Sequence, residues 1–149
     1  MSTRTKILVA VAALAVLVIV LSRGGAPGQE LQQLQDDPMA TYVPPGGTLI
    51  DSASRNAGTS LGRPVEAQVT RLFQLPAGGG KRALEDAREQ SVTDGWTPAG
   101  PATERGFVAR LQLDEGEAEL AVSLVEDARL LPDGAKPPAL SVNLRRLGQ

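Results

Sequence analysis

Residues 7–21, ILVAVAALAVLVIVL, are apolar without a break, whereas beyond residue 64 the apolar positions alternate with polar ones. The two patterns predict different environments. At about 1.5 Å per residue a helix over the first run reaches roughly 22 Å, short of a hydrocarbon core of about 30 Å. Thr3, Thr5 and Ser22 extend it, and Arg4, Lys6 and Arg23 are long enough to snorkel outward, so a span is feasible. A helix apolar on all sides has no polar face to show to water. The expectation is a transmembrane signal anchor over residues 7–22, with residues 1–6 in the cytoplasm, because two cations precede the run and one follows it. The rival is a cleaved signal peptide, which leaves a secreted domain. Its cleavage sites are poor: Ser22-Arg23-Gly24 carries a charge, and Gly24-Gly25-Ala26 runs into Pro27.

Residues 23–64 are dense in Gly, Pro, Ser and Asn and are expected to be a flexible tether and an extended arm. Within them QELQQLQDD predicts about two helical turns, with Leu31 and Leu34 on one side and Pro38 as the stop. At most one short strand is expected, at residues 48–52. Tyr42, Val43, Leu49 and Ile50 are apolar enough to pin the arm to whatever follows.

From Val65 the apolar side chains fall on odd positions, Val65, Ala67, Val69, Phe73 and Leu75, with Arg71 and Leu72 as exceptions. That is a strand with one buried face. KRALEDAREQSVTDG then predicts a helix with Ala83, Leu84, Ala87 and Val92 on a narrow apolar side and Gly95 closing it. GFVARLQL, AELAVSLVE and ALSVNLRRL each alternate again, the first two joined by a hairpin turn at DEGE. Residues 65–149 therefore read as an α+β domain in the order β-α-β-β-β, a mostly antiparallel sheet with one helix on its apolar face.

Charge and composition narrow the function. Away from the membrane run, 12 basic residues meet 17 acidic ones, a net −5, which disfavours nucleic acid and anionic lipid. Arg outnumbers Lys twelve to three, a bias that suits a GC-rich bacterial genome. With no Cys and no His there is no disulfide frame, no Cys-ligated metal and no His acid or base. LPAGGGKR has the strand-glycine-lysine-helix order of a phosphate loop, but Leu75 stands where a glycine is needed and Arg82 where Ser or Thr is needed. Asp114, Glu115, Glu117 and Glu119 lack calcium-loop spacing and read as a solvated turn. No Gly-x-Ser-x-Gly elbow occurs. The sequence indicates no catalytic, cofactor-binding or metal site.

What is left is a polar sheet face and a few side chains able to meet a ligand or partner: Lys81, Trp96, Arg110, Asn143 and Arg145. Trp96, directly after a helix-ending glycine, reads first as a plug closing the helix against the sheet. The expectation is a single-pass, membrane-anchored, non-catalytic module of the bacterial cell envelope, its C-terminal domain extracytoplasmic and facing an envelope protein or polymer. The alternative is an extracytoplasmic binder of a small ligand or anion, using the turn from Gly78 to Lys81 and Trp96.

Overall fold

The computed structural model describes residues 28–148. The anchor expected at 7–22 lies outside them, and among the described residues no helix is long and apolar enough to cross a membrane. The fold is a small α+β domain. Helix α1 (Gln29–Gln35) leads through a 3-10 turn (Pro38–Ala40) into strand β1 (Thr48–Arg55) and a ribbon of β2 (Gly58–Ser60) and β3 (Arg63–Val65). Then come β4 (Gln68–Gln74), helix α2 (Gly80–Thr93), β5 (Thr97–Pro98), β6 (Gly106–Gln112), β7 (Glu117–Val125) and β8 (Ala139–Leu147). Six strands form one sheet in the order β1-β4-β8-β7-β6-β5, every pair antiparallel, and β2 and β3 pair separately.

The alternation read from the sequence sets the two faces. Val69 and Phe73 of β4, Phe107 and Ala109 of β6, Ala118, Leu120 and Val122 of β7, and Leu140, Val142 and Leu144 of β8 are all buried on one side. Removing each of the Val, Leu and Phe side chains among them from water stabilises by about 1.5–3 kcal/mol. Helix α2 crosses this side over β7 and β8, burying Gly80, Ala83, Leu84, Ala87 and Ser91. Val92, expected on that stripe, is exposed, because Ser91 holds the place one turn after Ala87 and donates its hydroxyl to the carbonyl of Arg88.

The folded unit begins well before Val65. Leu31 and Leu34 of α1, with Met39, Ala40 and Tyr42 after it, belong to the same core, and α1 packs on β4 and β8. Val43 points to solvent, while Leu49 packs partly against the core. The short strand expected at 48–52 is an eight-residue edge strand with a bulge at Ile50. Arg71, out of pattern in the sequence, points inward: its guanidinium lies 5.0 Å from the centre of the Phe73 ring, and Nη1 donates to the carbonyls of Ala40 and Tyr42 at 3.0 and 3.2 Å. Burial pulls its pKa below the usual guanidinium range. Arg146 is likewise inward, donating to Gln33 of α1 and to the carbonyl of Glu115. Two buried cations thus clamp the N-terminal segment onto the sheet.

The Gly-rich turn before α2 has a packing explanation. A Cβ on Gly79 would come within 3.0 Å of the Pro76 carbonyl oxygen, and one on Gly80 within 3.3 Å of Leu124. Gly79 lets the turn fold back on Pro76, and Gly80 lets the start of α2 approach the sheet closely.

Candidate functional site: the open face of the sheet

The face opposite the helices is crossed by one row of facing residues. Register places Arg55 of β1 against Gln68 of β4, Gln68 against Arg145 of β8, Arg145 against Glu119 of β7, Glu119 against Arg110 of β6, and Arg110 against Thr97 of β5. The row reaches from edge to edge because directly opposed residues of paired strands point to the same face of the sheet.

Its centre is electrostatic. Arg145 donates from Nε and Nη2 to Oε1 of Glu119 at 2.9 and 2.6 Å. On the other side Arg110 Nη2 lies 3.8 Å from Oε2 of Glu119, and its Nη1 lies 3.6 Å from Glu117. Glu119 is therefore held between two guanidinium groups, one to each carboxylate oxygen. Both arginines remain half exposed, so the pairs add little stability, but the planar forks are oriented and their outer N–H groups still face solvent. Asn143 lies one step along β8, opposite Thr70 and Ala121. With Arg55, Glu66, Gln68, Glu119 and Arg145 it borders an open hollow of about 300 Å³. Such a surface offers guanidinium and amide donors to carbonyl, hydroxyl or carboxylate acceptors.

The structure brings together three of the five side chains singled out in the sequence, Arg110, Asn143 and Arg145. The other two lie elsewhere. Trp96 is 2% exposed, beneath the end of α2, and its Nε1 donates to Asp37 at 3.2 Å, which is the plugging position. Lys81 is almost wholly exposed at the start of α2, 3.9 Å from Glu85. It stands on the rim of a groove of about 940 Å³ with Leu84, Phe107 and Leu124 along it and charges of both signs, Arg88 and Glu104 among them, around it. Glu119 is read in the sequence with the hairpin carboxylates, and Arg55 goes unremarked; only the register reveals that they complete the row. Among the described residues no three His, Cys, Asp or Glu side chains come together as a metal site.

No family model, curated protein or solved structure matches this chain.

Proposed function

We propose that the protein is a single-pass, membrane-anchored, non-catalytic module of a bacterial cell envelope, and that the open sheet face docks an envelope protein or polymer. The anchor is residues 7–22, with the N-terminus cytoplasmic and the domain outside. The observation that carries the docking role is the Arg145–Glu119–Arg110 ladder, a set of oriented donors on a face that neither helix covers. Antiparallel sheets tolerate one solvated face, so an uncovered face alone would say little. An ordered row of arginines across it is the part that suits recognition.

The test is photo-crosslinking in cells from a probe at Asn143, with Val92, exposed on the far side of α2, as control. Adducts specific to Asn143, a discrete band for a protein or a ladder for a polymer, are expected to vanish when Arg110 and Arg145 are both changed to Glu. Equal background from both positions would contradict the docking face.

A second reading, binding of a small ligand or anion, is favoured by the groove beside Lys81. Saturable chemical-shift changes confined to residues 78–88 and 102–107 would support it over the sheet face.

A further inference from the structure

Residues 58–65, GTSLGRPV, form a two-stranded ribbon whose turn is Leu61-Gly62, both with positive φ, 51° and 74°. This is the geometry of a tight two-residue hairpin, which favours Asn-Gly or Gly-Gly. Leu61 occupies the left-handed region, where its Cβ crowds the backbone, and is nevertheless fully exposed. Nothing lies within 4 Å of a Cβ built on Gly58 or Gly62, so the ribbon stands clear of the body. A strained, unpacked leucine at the tip of a projecting ribbon does nothing for the domain itself.

Where the ribbon points follows from the chain path. The N–H of Gly28 donates to Asn56 Oδ1 at 2.6 Å, so the chain enters the domain at the base of the ribbon. The apolar run ends at Leu21, seven residues earlier, a reach of at most about 25 Å. From Asn56 the tip lies five residues on, about 17 Å along a strand. The ribbon contains no acidic residue and one cation, Arg63, whereas the β6–β7 turn at the same end of the sheet carries Asp114 and Glu115. The groove beside Lys81 sits at the opposite end of the strands.

Taking the anchor reading as its premise, we infer that the β2–β3 ribbon is a second membrane contact, in which Leu61 enters the interfacial zone of the bilayer with Arg63 at headgroup level. One leucine alone buries too little apolar surface to hold a free protein on a bilayer. On a tethered chain the tip is already at about millimolar effective concentration near the lipid, so a weak contact is populated and orients the domain. The acidic turn at the same end of the sheet makes this an apolar contact with a zwitterionic surface rather than an electrostatic one with anionic lipid.

The chain has no cysteine, so a spin label at Ser60→Cys reports the tip alone. Full-length protein in phosphatidylcholine vesicles, recovered by flotation, is compared with the same chain labelled at Ser123→Cys on the open face. The ratio of collisions with dissolved oxygen to collisions with a water-soluble nickel chelate should be several-fold higher at position 60. It should fall to the Ser123 value when Leu61→Ser is added. Equal ratios in floated vesicles would overturn the contact while leaving the anchor standing, and a label shielded from both colliders would place the tip against protein instead. Protein that fails to float removes the anchor and this contact with it.

Discussion

The indole N–H of Trp96 donates to the carboxylate of Asp37 at 3.2 Å, joining the end of α2 to the turn that follows α1. The same carboxylate oxygen caps that turn by accepting from the Met39 N–H at 2.8 Å. Burial raises the Asp37 pKa, against the lowering effect of these two hydrogen bonds. One side chain therefore fills the space under α2 and ties the N-terminal segment to it. Trp96→Ala should cost about 3–5 kcal/mol in chemical denaturation, since it leaves a large cavity. Trp96→Phe, which keeps most of the volume and loses the bond, should cost about 1–2 kcal/mol. Losses below about 1 kcal/mol for the alanine variant would place the ring at the surface.

Arg71 should behave as a structural cation. Arg71→Ala leaves the carbonyls of Ala40 and Tyr42 without a buried donor and uncovers Phe73, and should destabilise by about 2–4 kcal/mol. Because those carbonyls belong to the segment after α1, limited proteolysis of the variant should cut near residues 36–47 first. Cleavage distributed evenly along the chain would contradict the clamp.

Tyr42 gives a pH-dependent check. Its hydroxyl donates to Asp86 at 2.7 Å, and burial, then this carboxylate, hold its pKa well above the ordinary value of 10.0. A raised acid pKa favours the protonated folded state, so this contribution is whole below pH 10 and is lost as pH rises further. The chain has a single tyrosine, so absorbance at the phenolate band reports it alone. The band should appear together with loss of far-ultraviolet circular dichroism; a phenolate forming near pH 10 in folded protein would contradict the burial.

Leu61→Asn should stabilise the domain by about 0.5–1 kcal/mol, because Asn tolerates the left-handed turn that leucine resists. The readout is the denaturant midpoint at unchanged slope. A destabilised variant would mean that Leu61 packs within the domain.

Periodicity made most of the sheet legible. Strands β4, β6, β7 and β8 bury one face, and their inward positions are almost all aliphatic or aromatic, so the period of two survives in the sequence. Strand β1 was only partly legible because its inward positions after the bulge are Ser52 and Ser54, facing Arg71 and Val69, and short polar residues at an edge write no hydrophobic pattern. Arg71 and Arg146 were opaque for a different reason: their partners, at residues 40, 42 and 33, come from a remote segment whose Pro and Gly content reads as a tether. Helix α1 was legible, with Leu31 and Leu34 on one side, but two leucines are too few to mark it as part of the core. On the open face Arg110, Asn143 and Arg145 could be singled out by parity, but the pairing through Glu119 depends on register, which parity does not fix.

If residues 7–22 hold this domain on a membrane, N-terminal sequencing of the material that resists alkaline carbonate extraction is the decisive measurement. The carbonate-resistant fraction should hold protein beginning at Met1 or Ser2, and this protein should be released when Val11 and Val18 are both changed to Asp, since each mid-span carboxylate costs about 2.5–3.5 kcal/mol on insertion scales. Protein found in the extract and beginning between residues 24 and 30 would contradict the anchor and make the domain a secreted one.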